Sequence, residues 1–466
     1  MNINQLVEKY KNDIIKHTQE LIRIKSTEKQ GMPGKPFGEE VNQALEYVLK
    51  LSEDMGFQTL NLDGYAGHAE IGQGDETLGI LVHLDVVPEG DGWTYPPYGG
   101  EIHNDRIYGR GASDDKGPTI AALFAMKAVK ELGVELGKKI RIIFGTNEET
   151  NWDCMKHYFR KMKAPDMAFT PDSDFPVIFA EKGILVLNLV KKLENKSSGG
   201  IEVLEIKGGN RPNMVPDSCK AILKIRDESI DDFINKYEEL KANTSSNLSI
   251  EIDQERVVVI SEGVSAHGST PQSGVNAISQ LMSFLELVLD SNFSTYNFIK
   301  LYNEKLGAEV NGESIGCGLE DDVTGKLTLN VGMIELNSEE AKLTLDIRHP
   351  VKLTKEKVVN GIIDALAGTG IEVEIDNYMD PLYVPLDNPL VQTLMKVYRE
   401  ETGDTTSQPI TTGGGTYARS MKNAVAFGPG FPGQEDVAHQ KDEYMSIEHL
   451  IKITKIYAKA IYELTK

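Results

Sequence analysis

Residues 78–85 read LGILVHLD, an unbroken apolar run that ends in a histidine and an aspartate. Shorter apolar runs follow at 140–144 and 167–169, and a helical pattern at 117–132 separates the first run from the second. Strands that are buried on both faces read as nearly continuous apolar runs, because neither face meets water. The order strand, helix, strand therefore predicts an α/β fold, a mostly parallel sheet with helices on both faces.

The middle of the chain follows a different pattern. At 327–333 and 343–348 apolar residues alternate with polar or small ones, which is typical of an antiparallel sheet with one face toward water or a cleft. Helical patterns return at 390–401 and 447–464, on either side of an apolar strand at 424–427. We therefore predict an α/β domain interrupted by an inserted α+β domain, with the segments 1–185, 186–380 and 381–466.

Composition and charge restrict the possible partners. The chain has 466 residues, and its 49 Lys and Arg against 71 Asp and Glu give a formal net charge of −22. Such a molecule repels phosphate backbones and anionic lipids, so we expect neither nucleic acid nor a membrane as its partner. The three cysteines include no C-x-x-C spacing, which indicates the reducing cytoplasm.

The first candidate site residues stand at the end of the first apolar run. In α/β sheets, ligands bind beyond the carboxyl ends of strands. His83 can offer a ring nitrogen to a metal, and Asp85, on the same side of an extended chain, can orient that ring. Asp114 and Asp115 begin the next helix, where one could serve as a cap and one could bridge two cations. The residues alone do not decide which aspartate would bridge.

Further acids follow the next two strands. Glu148 and Glu149 are adjacent at a strand end, where they repel each other unless a cation lies between them or one takes a proton. One would bind metal and the other act as general base toward water, but the sequence does not say which. Asp172 ends a third strand and His439 precedes the last helix. Nitrogen and oxygen ligands together suit zinc, manganese or cobalt better than calcium.

Five motifs together resemble those of the co-catalytic dinuclear metallopeptidases, a family that includes aminoacylases and glutamate carboxypeptidases. The variant GTNEETNW and the chain length are most similar to its PepV-type bacterial dipeptidases. The resemblance implies a zinc-peptidase-like catalytic domain, formed by 1–185 and 381–466, and a lid domain at 186–380. The motifs are VHLDVVP at 82–88, YGRGASDDKGP at 108–118, GTNEETNW at 145–152, PD at 171–172 and AHQKDE at 438–443.

The same resemblance implies a role for each site residue. Asp85 would belong to the catalytic set, and a cis peptide bond would precede Asp115. The implied metal arrangement is His83 and Asp172 on one metal, Glu149 and His439 on the other, Asp114 between them and Glu148 as the general base.

The inserted segment carries a second group of implied site residues. SAHGSTP at 265–271 resembles the lid motif of the family, whose histidine, His267 here, helps hold the developing oxyanion. Asn213 and Arg348 match substrate-contacting positions, and the guanidinium of Arg348 suits a C-terminal carboxylate. Periodicity alone would make Arg348 a solvated strand residue. The amides of one loop would bind the substrate's carboxylate end, namely Gly413, Gly414, Gly415 and Thr416.

These observations lead to one expected function and two alternatives. We expect a monomeric cytoplasmic enzyme that hydrolyses dipeptides with water activated by two divalent metals, zinc first and manganese or cobalt next. Its partner would be a small peptide substrate. The alternatives are deacylation of N-acyl amino acids by the same site, and a non-catalytic binding protein that retains the fold. A serine hydrolase is disfavoured because the chain lacks G-x-S-x-G.

Overall fold

A computed structural model describes residues 1–194, 200–225, 230–243, 247–289 and 294–466. Its internal contacts divide the chain into two compact units. Unit 1 comprises Met1–Ala180, Leu382–Thr411 and Gly415–Lys466, and unit 2 comprises Glu181–Pro381 and Thr412–Gly414. That one unit is catalytic and the other a lid stays a prediction. In the ranges described, none of the helices combines the length and apolar character that crossing a bilayer requires.

Unit 1 is built on a nine-stranded mixed sheet. Its strands are β1 Gln58–Leu62, β2 Ala66–Ile71, β3 Thr77–His83, β6 Lys139–Gly145, β7 Met167–Thr170, β9 Ile178–Glu181, β20 Leu382–Tyr383, β21 Ile410–Thr412 and β22 Ala424–Ala426. The spatial order is β1-β2-β6-β3-β7-β22-β9-β20, and β21 pairs with β9. The central pairs β6-β3, β3-β7 and β7-β22 are parallel, and antiparallel pairs flank them. The predicted parallel sheet is thus confirmed for the apolar runs that suggested it.

Helices cover both faces of this sheet. They are α1 Ile3–Lys9, α2 Lys11–Ile22, α3 Glu39–Asp54, α4 Lys116–Glu131, α5 Asp153–Lys161, α10 Pro389–Thr402 and α11 Ile447–Thr465. Gly67 of β2 faces α3, because a Cβ added there would lie 3.0 Å from a Leu45 methyl carbon. The next residue, His68, hydrogen-bonds at 2.7 Å to the hydroxyl of Tyr158 in α5. Successive strand residues point to opposite faces, so α3 and α5 lie on opposite sides.

Short strands complete unit 1. A three-stranded sheet joins β4 Glu101–His103, β5 Arg106–Tyr108 and β24 Tyr444–Ser446, and a second small pair joins β8 Ser173–Asp174 to β23 Pro429–Gly430. Both connect the first part of the chain with its last part, since β24 pairs with β5 and β23 with β8. The loops that end in these strands are therefore fixed at their bases.

Unit 2 contains an eight-stranded sheet in which every pair is antiparallel, as predicted. Its order is β13-β14-β12-β11-β17-β18-β10-β19. The strands are β10 Gly183–Lys192, β11 Ile201–Gly208, β12 Ser218–Ile225, β13 Asn247–Asp253, β14 Arg256–Glu262, β17 Thr328–Leu336, β18 Glu340–His349 and β19 Glu372–Met379. A separate hairpin pairs β15 Glu320–Asp321 with β16 Gly325–Lys326. The described helices are α6 Ile230–Asn243, α7 Ala277–Val288, α8 Ser294–Lys305 and α9 Lys355–Ala365.

The polar face of strand β18 is buried, whereas we expected it to face water or a cleft. It lies inside the sheet between β17 and β10, and its polar residues Asp346 and Arg348 are buried. The two side chains are buried because they pair with each other, as described below. Alternation in sequence therefore marks the faces of this strand correctly but not their exposure.

Candidate active site

The carboxyl ends of three parallel strands bring the candidate residues of unit 1 together. His83, the last residue of β3, is in register with Gly145, the last residue of β6, so the loop that follows β6 starts beside it. The neighbouring strand β7 leads directly into the loop that carries Asp172. We call the resulting cluster the acidic edge, which consists of His83, Asp114, Asp115, Glu148, Glu149, Asp172 and His439.

Gly145 makes room for an aromatic wall behind this edge. A Cβ at Gly145 would lie 2.3 Å from the Tyr417 hydroxyl, so only glycine fits there. The Tyr417 ring meets the His83 ring edge to face at 6.3 Å, and its hydroxyl lies 2.9 Å from the Cys154 sulfur. Burial raises the pKa of Tyr417 well above its usual range. Tyr417 thus restrains His83 as a neutral, rigid neighbour.

The His83 ring is held in one tautomer. Its Nδ1 lies 2.9 Å from the main-chain carbonyl of Asp85, and a carbonyl can only accept a hydrogen bond. Nδ1 therefore carries the proton, and Nε2 points to Asp114 Oδ1 at 2.8 Å and Asp172 Oδ1 at 3.7 Å. A histidine that donates through one nitrogen to a carbonyl presents the other nitrogen as a metal ligand.

The Asp85 carboxylate has a second task beside the one we expected. Its Oδ1 is 3.7 Å from His83 Nδ1, farther than the residue's own carbonyl, and its role in orienting the ring stays a prediction. Its two oxygens also accept the backbone N–H groups of Glu148 and Glu149, each at 3.0 Å. Asp85 therefore fixes both glutamates at the end of β6.

Asp114 presents one oxygen to each histidine. Oδ1 lies 2.8 Å from His83 Nε2, and Oδ2 lies 3.0 Å from His439 Nε2. Glu149 adds Oε1 at 3.1 Å from His439, and Asp172 is on the His83 side. These spacings match ligands around a zinc ion, which with bonds of about 2 Å would be roughly 3.3 Å apart. The carboxylate of Asp114 thus stands between two sets of ligand atoms.

The ligand atoms could also be grouped in other ways. Two triads, His83–Asp114–Glu149 and His83–Glu148–Asp172, each have their ligand atoms within 4.8 Å of one another. Both include His83, which is almost completely buried. The positions of these side chains support a metal site here. Which residues would bind which of two ions is a proposal. The peptide bond between Asp114 and Asp115 is cis, as the family resemblance implied.

The acidic edge has more negative charge than its own residues neutralise. Among the described residues, no lysine or arginine ion-pairs with its five carboxylates. Burial raises the pKa of Glu148 well above its usual range, with Asp172 adding to the shift, and burial raises the pKa of Asp172 to about 7. Oδ1 of Asp115 is buried without any hydrogen-bond partner. This donor set fits divalent cations, which would supply the missing positive charge.

The histidines respond to the same acids. Burial lowers the pKa of His439, but hydrogen bonds to Asp114 and Glu149 outweigh it and raise the pKa to about 11. For His83 burial likewise acts downward, and Asp172 and Asp114 raise the net pKa well above its usual range. Without metal, protons on the histidines would compensate part of the negative charge.

Unit 2 brings the expected lid residues into one group. The backbone N–H of Ser269 donates to His267 Nδ1 at 3.3 Å, and the Ser269 hydroxyl lies 2.6 Å from the same nitrogen. When Nδ1 accepts from both, a neutral His267 carries its proton on Nε2. The Gly268 N–H donates to the main-chain carbonyl of Asn213 at 2.7 Å. Gly413 packs beside this turn, because a Cβ there would lie 2.7 Å from Ser269 Cβ.

Arg348 is engaged within unit 2. Its Nε and Nη2 donate to the two oxygens of Asp346 at 2.8 and 2.7 Å, and Nη1 donates to the Gly413 carbonyl at 2.9 Å. One edge of the guanidinium that we expected to bind a substrate carboxylate is therefore occupied by Asp346. Contact of Arg348 with substrate stays a prediction, whereas its hold on the Gly413 loop is visible.

The remaining predicted loop residues divide between the units. Gly414 belongs to unit 2, and its N–H donates to Thr412 Oγ1 at 3.0 Å. Gly415 and Thr416 belong to unit 1, where Thr416 Oγ1 accepts the Ala418 N–H at 3.2 Å and caps a short 3₁₀ helix. Their role toward substrate is a proposal.

Sequence reasoning missed three buried ionic residues. Arg110 and Glu443 lie in the quoted motifs but received no role, although they form a buried ion pair at 2.7 Å. Asp346 stands two positions before Arg348 in a strand, so opposite charges share one face. That spacing could have indicated the Asp346–Arg348 pair. The sequence contains no local signal for the Arg110–Glu443 pair.

Comparison with known proteins identifies the family. A family model described as "Peptidase family M20/M25/M40" matches residues 79–463. A Bacillus subtilis (strain 168) protein named "Putative dipeptidase YtjP" is 41% identical over the full length of both chains. "Putative dipeptidase SH1171" of Staphylococcus haemolyticus is 36% identical over 98% of each chain.

Solved structures share the fold at low sequence identity. Human carnosine dipeptidase 1 aligns over 99% of this chain and 98% of its own, with a TM-score of 0.58 and 16% identity. The dipeptidase Dug1p of Saccharomyces cerevisiae aligns over 99% and 97%, with a TM-score of 0.59 and 13% identity. The resemblance inferred from the motifs is confirmed: the chain belongs to peptidase family M20/M25/M40, a family of peptide-bond hydrolases.

Proposed function

We propose that this protein is a dipeptidase that works with two divalent metal ions. The observation that carries the proposal is Asp114, whose two oxygens each face one histidine. Relatives that span the whole chain are named as dipeptidases, which supports a dipeptide as the substrate. The substrate partner would be a small peptide.

His83 and Asp172 would hold one ion, His439 and Glu149 the other, and Asp114 would serve both. Zinc suits this mixture of nitrogen and carboxylate ligands, with manganese or cobalt as alternatives. When bound, the ions would lower the pKa of water and neutralise negative charge that develops during hydrolysis.

Glu148 would act as the general base. Its backbone is fixed by Asp85, as described above, and by Trp152, whose ring N–H donates to the Glu148 carbonyl at 2.7 Å. In the part of the chain that the structure describes, His83 and His439 ion-pair with other carboxylates and not with that of Glu148, which leaves it for a water molecule. The raised pKa favours a group that accepts a proton from water and returns it to the leaving amine.

Residues of unit 2 would act on the substrate itself. His267 with a proton on Nε2 is a donor suited to the oxyanion that forms at the scissile carbonyl. Asn213, Arg348 and the loop of Gly413 and Gly414, followed by Gly415 and Thr416, would hold the carboxylate end of the peptide. Arg348 would act in part through the Gly413 carbonyl that it binds.

We also propose a cytoplasmic monomer. All three cysteines, Cys154, Cys219 and Cys317, are buried and free, as expected in a reducing compartment. The length of the inserted segment is the reason for proposing a monomer.

The test compares three substrate classes on metal-loaded protein. Zinc-loaded enzyme should hydrolyse free dipeptides such as alanyl-leucine, with much lower activity toward N-acetyl-alanine and toward tripeptides. Preferential release of acetate would favour the deacylase alternative. A protein that holds two metals per chain and cleaves none of these substrates would contradict the enzyme assignment.

A further inference from the structure

Two loops of the acidic edge share one buried ion pair. Arg110 and Glu443 are completely buried, and Arg110 Nη1 lies 2.7 Å from Glu443 Oε2. Arg110 stands in the loop that carries Asp114, and Glu443 in the loop that carries His439. The pair therefore joins the two loops that would provide the shared ligand and one terminal ligand.

Glu443 organises the Asp114 loop through several donors. Its Oε2 accepts the Gly111 N–H at 3.1 Å, and its Oε1 accepts the Ser113 N–H at 2.9 Å and hydroxyl at 3.0 Å. Oε1 also accepts the Asp114 N–H itself at 3.2 Å. The backbone of the proposed bridging residue is thus held by a carboxylate from the other loop.

Arg110 holds the His439 loop in return. Nη2 donates to the His439 carbonyl at 3.2 Å, and Nη1 donates to the Gln440 carbonyl at 3.3 Å. His439 has a backbone φ of +62°, a left-handed conformation that residues other than glycine adopt rarely. An external donor on its carbonyl stabilises that conformation.

The other proposed ligands have support of their own. His83 ends a central strand, Asp172 precedes a strand that pairs with β23, and Glu149 is fixed through Asp85. His439 instead lies in the long irregular stretch between β23 and β24. In that stretch Asp442 accepts the Thr94 N–H and hydroxyl, and the ion pair is the anchor that reaches the His439 carbonyl itself.

We infer that the Arg110–Glu443 pair positions His439 against Asp114 and so creates the second metal position, the one with Glu149. The inference rests on the proposed two-metal function. Both members are positioning residues, because they act through the backbone of two ligand loops. Loss of the pair should weaken the second ion far more than the ion at His83 and Asp172, because His439 would lose its support while the first ion would be affected only through Asp114.

The test titrates metal-free protein with Co²⁺ and follows its visible absorption, a readout that does not need activity. Wild-type protein should bind two equivalents. Glu443→Gln should bind the first with an affinity close to that of wild type and the second roughly 10- to 100-fold more weakly, as for other changes behind metal ligands. Arg110→Lys, which keeps the charge but loses the planar two-armed geometry, should shift the second equivalent in the same direction.

Glu70→Gln is the matched control. Glu70 Oε2 accepts Arg141 Nε at 2.6 Å in a partly buried pair between β2 and β6. The same chemical change there removes an ion pair of unit 1 without touching a ligand loop, so both Co²⁺ equivalents should remain. Circular dichroism checks that each variant unfolds cooperatively. If Glu443→Gln does not, Arg110→Lys alone carries the test.

The outcomes separate this inference from the proposed function. Equal binding of both equivalents by Glu443→Gln, Arg110→Lys and wild type would overturn the positioning role. Parallel weakening of both equivalents in a cooperatively folded variant would also overturn it, because the effect would not be selective. Wild-type protein that binds fewer than two equivalents would contradict the proposed function instead.

Discussion

The two units of this molecule stabilise their buried carboxylates in opposite ways. In unit 2, Asp346 is buried against Arg348, which donates to both of its oxygens. In unit 1, Asp114, Glu149 and Asp172 of the acidic edge ion-pair with histidines, and among the described residues none of its five carboxylates pairs with a lysine or arginine. Burial raises the pKa of Glu148 and Asp172. A buried carboxylate with its own arginine is structurally complete. A buried group of acids without one indicates that cations come from outside.

Removal of metal should have the largest effect, and only on the acidic edge. A chelator should abolish peptide hydrolysis, and it should destabilise the folded protein by about 4 kcal/mol for each ion lost, relative to protein in metal at a thousandfold excess over its Kd. Thermal unfolding with and without chelator measures the shift, and added zinc should restore both properties. If activity survives complete removal of metal, checked by elemental analysis, the acidic edge does not need cations and the contrast with Asp346 is wrong.

Glu148→Gln should separate chemistry from metal binding. Loss of a general base typically costs about 100- to 10,000-fold in rate, while the neutral glutamine leaves all the proposed metal ligands in place. Steady-state hydrolysis and elemental analysis of the same preparation measure both effects. The adjacent Glu149→Gln is the control, since it should lose metal as well as activity. An active Glu148→Gln enzyme would exclude Glu148 as the base.

Asp346→Asn should affect stability and leave metal content unchanged. Removal of one partner from a buried ion pair typically costs about 3 to 5 kcal/mol, because the remaining charge is left without compensation. Urea unfolding measures the loss. We also expect weaker substrate binding, seen as a higher KM, because Arg348 would release the Gly413 carbonyl. A variant with wild-type stability would show that this pair contributes little.

The smallest expected effect concerns His68, a buried histidine outside the acidic edge. Burial lowers its pKa to about 4, with Arg141 acting in the same direction, whereas the histidines of the acidic edge shift upward. The folded state then binds fewer protons than the unfolded state between pH 6.5 and about 4. The contribution of His68 to the free energy of unfolding, at most about 3 kcal/mol, is complete above pH 6.5 and is lost as the pH falls toward 4.

Replacement of His68 by asparagine isolates the pH-dependent contribution of His68 to stability. The free energy of unfolding of metal-free wild type, minus that of His68→Asn, should decrease as the pH is lowered from 7 to 4. Urea titrations at several pH values in this range provide the difference. A difference that stays constant with pH would mean that His68 titrates normally in the folded protein.

Much of the fold and site could be predicted from the sequence because the signals were local. The apolar runs at 78–82 and 140–144 became the central parallel strands, and the acids after them meet at one edge because parallel strands share their ends. The choice of Asp114 over Asp115 needed the family resemblance. In the structure Asp114 faces both histidines, whereas Asp115 receives the His83 N–H.

The contacts that were not predicted depend on distant parts of the chain. Asp85 binds the amides of Glu148 and Glu149 more than 60 positions away. Arg110 reaches Glu443 across 333 positions. No periodicity or local spacing reports such pairs, since each arises only when two loops close on each other. The sequence therefore indicated the proposed ligands better than the residues that support them.

The central claim is that Asp114 lies between two metal ions, and anomalous diffraction from crystals of zinc-loaded protein tests it most directly. Difference maps across the zinc absorption edge should show two peaks, one beside His83 and Asp172 and the other beside Glu149 and His439, with one Asp114 oxygen on each. A single peak, or peaks that leave Asp114 without a metal, would contradict the account.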